Sequence, residues 1–308
     1  MKSFLNKFSL FILPVFLFLG CYEAILRDAN SSNIYTFKNN LLNQEFEAVV
    51  LGSSHALRDV IAEDLSYNTI NLANVSQTIN IDILWLKEAV KRQKLKFIIL
   101  NYSIPTLTGD LESGISSWRF KNYNIYTSIR LDYSAKNNFE FLNGIQKYNF
   151  HTISNHLFQH NDLKKEYLEK GSFPLDVHTN HFEEDALKAS KRHIFNTQYV
   201  DRNKNILKQI IELSKENNFK VVLVTPPAHK SYRELIPSNI NNELFSLLND
   251  SDTQNSHVYW FNYYDNNNFN DTHFADSNHL NLKGAKQFTN KIDFFLNEIV
   301  VPKTTKDQ

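Results

Sequence analysis

Near the C-terminus, Asp276 precedes His279 by three residues in the polar turn Phe274-Ala-Asp276-Ser-Asn-His279, and a helix pattern of Leu, Gly, Ala and Phe follows at once. Such a turn supplies an imidazole together with a carboxylate to orient it. A His–Asp couple of this kind takes a proton from a hydroxyl, which is a weak nucleophile until a base acts on it. The hydroxyl best suited to be its partner lies far upstream, at Ser54 in Val49-Val-Leu-Gly-Ser-Ser-His55. An apolar run, a glycine and a helix-start signal put that serine at a strand-to-helix turn. Its side chain is then exposed at a sheet edge, with its own N–H aimed into the site. In chain order, Ser54 is the nucleophile, Asp276 the orienting acid and His279 the base.

Whether segments so far apart meet depends on the elements that carry them. Glu47–Leu51, Thr69–Leu72, Phe97–Leu100, Phe219–Val224 and His257–Phe261 read as five strands, and Ile79–Arg92, Lys204–Glu216 and Leu282–Ile299 as helices among them. Strands that are nearly continuous apolar runs, alternating with helices, predict a parallel sheet covered on both faces. Ligands of such sheets bind beyond the carboxyl ends of the strands. Gly52–Ser54, Asn74–Gln77, Asn101–Ser103, Thr225–His229 and Asp276–His279 all follow strands, so they converge on one edge.

The interval from about 106 to 196 breaks the alternation and is rich in Tyr, Phe, Asn and His, including Trp118, Tyr123, Tyr126, His151, His156, His160, His178 and His181. It is too long for an ordinary connection and predicts an inserted helical cap. Exposed aromatics and amides there would suit a sugar; packing is the plainer reading.

Lys2 and Lys7 precede an uncharged apolar stretch from Phe8 to Tyr22, which Ala24–Leu26 extends past Glu23. Residues 1–26 thus read as a retained signal-anchor, a lipoprotein signal ending at Phe18-Leu-Gly-Cys21, or a cleaved signal peptide. In each case the positive charges leave everything after Arg27 outside the cytoplasm. Residues 27–45 read as a tether, 46–298 as the main domain and 299–308 as a tail. The 308 residues carry equal numbers of acidic and basic side chains, so neither nucleic acid nor an anionic surface is favoured as partner. One cysteine excludes an intrachain disulfide framework and a cysteine-based zinc site.

Taken together, Gly52-Ser53-Ser54, Asn71-Leu-Ala-Asn-Val-Ser-Gln77, Val222-Leu-Val-Thr-Pro-Pro227 and Asp276-x-x-His279-Leu-Asn with Gly284-Ala285 resemble the blocks of the SGNH (GDSL-like) hydrolases over about residues 46 to 298, insertion excluded. The nearest likeness is to the membrane-anchored extracytoplasmic branch that acts on envelope polysaccharides. That resemblance implies a flavodoxin-like three-layer α/β/α sandwich and ester cleavage or acyl transfer without a cofactor. It further implies acetyl as the acyl group, a surface polysaccharide or glycolipid as substrate, and a multi-pass membrane acyltransferase as partner. The chain departs from the family at the oxyanion hole. Gln77 stands where the second block ends in Gly, and Asn101-Tyr-Ser103 stands where the third reads Gly-x-Asn-Asp, so the expected donors are Gln77 and either Ser103 or Asn101.

Other readings use the same residues. Asp271, His273, Asp276 and His279 have ligand types that suit zinc or manganese. Ser53 could replace Ser54 as nucleophile, although the Gly-x-Ser spacing favours Ser54. His55 is a candidate supporting donor, and His229 reads as structural or solvent-facing. Lys/Glu pairs on Leu207–Glu216 and Leu163–Lys170 read as solvated helix faces. Against the enzyme stands a catalytically inactive glycan-binding or assembly protein on the same fold.

Overall fold

The apolar runs pair as one five-stranded parallel sheet in a computed structural model that describes residues 2–30, 39–113, 116–127, 129–143, 153–154, 168–194 and 197–300. The strands are β1 (Ala48–Leu51), β2 (Thr69–Asn71), β3 (Phe97–Asn101), β4 (Lys220–Thr225) and β5 (Val258–Asn262), in the spatial order β2-β1-β3-β4-β5. This is the flavodoxin-like order, which reverses direction between β1 and β3. Val50 of β1 lies beside Asn71 of β2 and Ile99 of β3. β1 and β3 are buried along their whole length, as expected of Val/Ile/Leu runs covered on both faces.

Right-handed crossovers put Ile79–Arg92, Val200–Asn217 and Ser238–Thr253 on one face and Ser54–Asp59 with Leu282–Val300 on the other. The result is a three-layer α/β/α sandwich. Ile79–Arg92 opens after Thr78 and closes on Lys91 and Arg92, whose charges suit the carboxyl end of a helix. Val200–Asn217 stops where Asn218 turns left-handed, at φ 56°. Ser238–Thr253 was not foreseen, and Phe182–His193 lies inside the stretch expected to be a helical insertion.

The chain forms two units, Asn40–Gly114 with Tyr167–Gln308, and Met1–Asn39 with Ile115–Glu166. The interval 106–196 is therefore divided between them. In the second unit a helix runs Lys2–Asn30, and its Lys7–Ala29 portion is long and apolar enough to cross a bilayer. Leu10, Phe11, Phe16 and Phe18 are exposed on it, whereas Glu23 and Leu26 are buried. The Glu23 carboxylate accepts the backbone N–H groups of Glu140 and Phe141, each at 3.0 Å, and Arg27 donates to the carbonyl of Asn138. Buried Glu140 also pairs with Lys121 and accepts from the Tyr126 hydroxyl. Tyr123 and Tyr126 are thus packing residues, while Trp118 is exposed under Arg119.

In the first unit Asn40 and Leu41 are buried, and Asn40 donates to the Glu169 carbonyl. Residues 31–38 of the expected tether, residues 301–308 of the tail, residues 163–167, Asn196 and the histidines His151, His156 and His160 lie outside the described residues.

Candidate active site

Strand β1 ends at Leu51 and the chain must turn at once to begin the Ser54–Asp59 helix. Gly52 makes that turn at φ 131°, a conformation other residues rarely adopt. Its N–H donates to Asp82 Oδ1 at 2.9 Å. Ser54 opens the helix, half-buried at the carboxyl edge of the sheet.

The second segment arrives after β5. Its loop is closed on itself: Asp276 Oδ1 accepts the N–H groups of Asn278 (2.9 Å) and His279 (2.8 Å), and Ala275 N–H donates to the His279 carbonyl at 2.9 Å. Leu280 N–H donates to the buried carboxylate of Asp59 at 2.9 Å, which fixes the far end of the loop to the helix that carries Ser54. Burial pushes the Asp59 carboxyl well above the usual carboxylate range.

Ser54 Oγ and His279 Nε2 stand 2.8 Å apart, although 225 residues separate them in sequence. His279 Nδ1 lies 2.8 Å from Asp276 Oδ2 and 3.0 Å from Oδ1. The carboxylate can only accept, so Nδ1 carries the hydrogen and Nε2 is left to receive the serine proton. Burial alone would raise the Asp276 carboxyl, but the His279 ring and the two loop N–H groups hold it well below the ordinary range. Burial first, with Arg58 and Arg192, lowers His279 more than Asp276 raises it, so the imidazole is neutral at neutral pH.

A chain of three further side chains leads away from His279. His55 stacks on His279 with ring centroids 4.7 Å apart and planes within 25°. His193, at the end of the Phe182–His193 helix, approaches His55 edge-on at 6.1 Å, and its Nδ1 lies 2.7 Å from the Tyr232 hydroxyl. Burial first, then His279 and Arg192, push His193 down to about 3. A small cavity beside them is lined by His55, Ser103, Pro226, Tyr232, Tyr264 and Asn278, among others. No sequence signal marked His193 or Tyr232.

The expected oxyanion donors are placed differently from one another. Gln77 does not turn its amide to the serine: Nε2 donates to the Leu72 carbonyl (3.0 Å) and to Asp82 Oδ1 (2.7 Å), and its backbone N–H donates to Asn74. Gln77 thus shares with Gly52 the carboxylate that shapes the turn into Ser54. Just before it, Ser76 takes the left-handed conformation, at φ 61°. Ser103 lines the cavity, but its hydroxyl donates to Asn101 Oδ1 at 3.2 Å. Asn101 is 1% exposed, lies against Gly52 and keeps Nδ2 without a partner.

Among the described residues no three His, Cys, Asp or Glu side chains gather as a metal site. Asp271 reaches His229 Nε2 at 3.2 Å instead, and His273 Nδ1 faces Asn270. His229 is a packing residue, stacked on Phe182 at 4.0 Å, with its N–H donating to the Ser277 carbonyl. Ser53 Oγ lies at His55 Nδ1, 3.3 Å away, so the serine on His279 is Ser54.

No family model matches this chain, and no curated protein matches it. Several solved structures resemble it. A provisionally named acylhydrolase from Bacteroides fragilis NCTC 9343 is 14% identical, with 88% of this chain and 98% of that one covered, at TM-score 0.45. A GDSL-like lipase from Bacteroides thetaiotaomicron VPI-5482 is 12% identical over 86% of this chain and 99% of its own, at TM-score 0.43. A protein from Streptococcus pneumonia, provisionally named a platelet activating factor, is 10% identical over 94% and 99%, also at 0.43. The three-layer fold stands on the strand order of the chain itself.

Proposed function

We propose that the chain is a serine esterase or O-acyltransferase of the SGNH type, with Ser54 as nucleophile, His279 as general base and Asp276 as its orienting acid. The observation that carries this reading is the unbroken line of hydrogen bonds from Ser54 Oγ through His279 to Asp276. As Ser54 Oγ bonds to an ester carbonyl carbon, its proton passes to His279 Nε2. The carbon–oxygen bond to the alcohol then breaks, and the departing oxygen takes that proton. Water or a sugar hydroxyl repeats the sequence on the acyl-serine and restores Ser54. The Ser54 N–H and the unpartnered Nδ2 of Asn101 are the proposed donors to the carbonyl oxygen as it becomes negative.

The proposed substrate is an acetylated surface polysaccharide or glycolipid, and a multi-pass membrane acyltransferase is the proposed source of acyl groups. We place the α/β unit outside the cytoplasm, behind an N-terminal helix retained as an anchor. The buried Glu23 and Leu26 support retention, because they complete the unit formed with residues 120–143.

A serine-reactive fluorophosphonate tests the reading: mass spectrometry should find the label on Ser54, and Ser54→Ala should abolish both labelling and release from an activated acetyl ester. Equal release by the two proteins would sink it. Product analysis with and without an acceptor sugar separates transferase from hydrolase. The turned-away Gln77 amide favours a second reading, a glycan-binding or assembly protein without turnover. Glycan binding and cellular function that survive Ser54→Ala would support it.

A further inference from the structure

His55 follows the nucleophile directly, and both of its nitrogens are engaged. Nδ1 lies 3.3 Å from Ser53 Oγ and Nε2 lies 3.1 Å from Asn278 Nδ2. An amide nitrogen offers only hydrogens, so Nε2 accepts and the imidazole proton sits on Nδ1. Asn278 in turn donates its backbone N–H to Asp276 Oδ1. The ring of His55, 4% exposed, covers one face of the His279 ring.

We propose that His55 is a positioning residue: it sets the plane of His279, keeps water off one face of that ring, and holds the base-bearing loop through Asn278. This deepens the triad reading and rests on it. His55 does so as a neutral ring. A second proton would put Nε2–H against the Asn278 amide hydrogens, and it is opposed by burial and by the nearby His279, His193 and Arg58, with only Asp276 in favour. The charged or titratable groups facing His279 are Asp276 from its own loop, Arg58 and His55 from the nucleophile helix, and Arg192 and His193 from the Phe182–His193 helix. Burial is the strongest influence on His279, so removing the ring that covers it should change how that imidazole titrates.

The test compares full-length His55→Ala, His55→Phe and Asn278→Ala with the wild type in detergent. Histidine NMR follows the titration of His279, and kinetics follow kcat and KM. In His55→Ala, water reaches the ring and the His279 midpoint should rise by about half a pH unit or more. Its kcat should fall by about 10²-fold with KM within about twofold, since the reacting groups lose alignment and not substrate binding. His55→Phe restores a flat cover without either hydrogen bond. It should keep the midpoint within about 0.2 unit of the wild type and slow turnover only as far as Asn278→Ala does. His55→Gln, polar but ringless, serves the same comparison if His55→Ala does not fold. An unmoved midpoint in the ringless variants, or a change confined to KM, would overturn the proposal. The midpoint is read from the imidazole itself, so it still decides the matter if fluorophosphonate leaves Ser54 unlabelled; that outcome removes the triad reading alone.

Discussion

Gly52 and Asn101 approach so closely that a Cβ on residue 52 would stand 2.9 Å from the Cβ of Asn101. The ends of β1 and β3 meet at this point, and the turn into Ser54 passes through the space a side chain would take. The turn into Ser54 and the backbone of Asn101, whose amide is a proposed oxyanion donor, are therefore held against each other.

Gly52→Ala should consequently cost stability and activity together. The left-handed backbone alone costs about 1–3 kcal/mol, and the clash with Asn101 adds to it. Urea denaturation should show the loss. Residual folded protein should react more slowly with fluorophosphonate, and an unchanged labelling rate would contradict the role given to this turn.

Asp276→Asn should leave the loop folded and the chemistry crippled. The amide oxygen can still accept the two loop N–H groups, but its NH2 group cannot accept from His279 Nδ1 and favours the wrong tautomer. Substitutions of this kind in hydroxyl–imidazole–carboxylate sites lower kcat by about 10⁴-fold. Steady-state kinetics on an activated acetyl ester, with circular dichroism to confirm the fold, checks it.

The pH profile should extend to the acid side. His279 must be neutral to act as base, and burial, with Arg58 and Arg192, sets it below its ordinary 6.5 despite Asp276. The acid limb of kcat/KM should accordingly fall below pH 6.5. A limb above 7 would show that the imidazole is more hydrated than its surroundings in the structure imply.

Asp82 gives stability a pH dependence of the opposite sense. Burial pushes its carboxyl up to about 7 against hydrogen bonds from Gln77 and Gly52, while an unfolded aspartate titrates near ~3.9. The folded state holds the proton more tightly, so this contribution is complete below about pH 4 and is lost as pH rises through about 7. Asp82→Asn keeps an oxygen for both donors and places an amide where Oδ2 has no partner. Between pH 5 and pH 8 the wild type should lose a few kcal/mol that the variant does not, on the order of 1.4 kcal/mol for each unit of the shift. Parallel urea curves for the two proteins would refute it.

The N-terminal helix should remain on the mature protein. Intact mass from the membrane fraction should begin at Met1 or its processed successor. Glu23→Ala should expose residues 120–143 to limited proteolysis, because two backbone N–H groups lose a buried acceptor. A mature chain that starts beyond Leu26 would end the anchor proposal.

The sheet was legible because each strand is an apolar run that must be covered on both faces, and the edge that holds Ser54 and His279 followed from strand order. Ser238–Thr253 escaped because Ile240, Leu244 and Leu248 form one narrow buried stripe among Asn and Ser. The Phe182–His193 helix hid among aromatic and histidine-rich residues that read as an insertion, and His193 went with it. Gln77 was read by its position in a motif. Its actual partner, Asp82, is a carboxylate on the buried side of a helix, and that oddity in the pattern was the available clue.

The Ser54–His279 contact closes a loop of 225 residues. The base and its acid come prefabricated in one short loop, while the serine waits from the first strand onward. A growing chain therefore holds Ser54 without its proposed base throughout most of its synthesis. In the proposed triad, reactivity requires the Asp276–His279 loop to be seated on Ser54, so a serine-directed probe reports completion of the fold as well as catalysis. Truncated or stalled chains should be chemically silent.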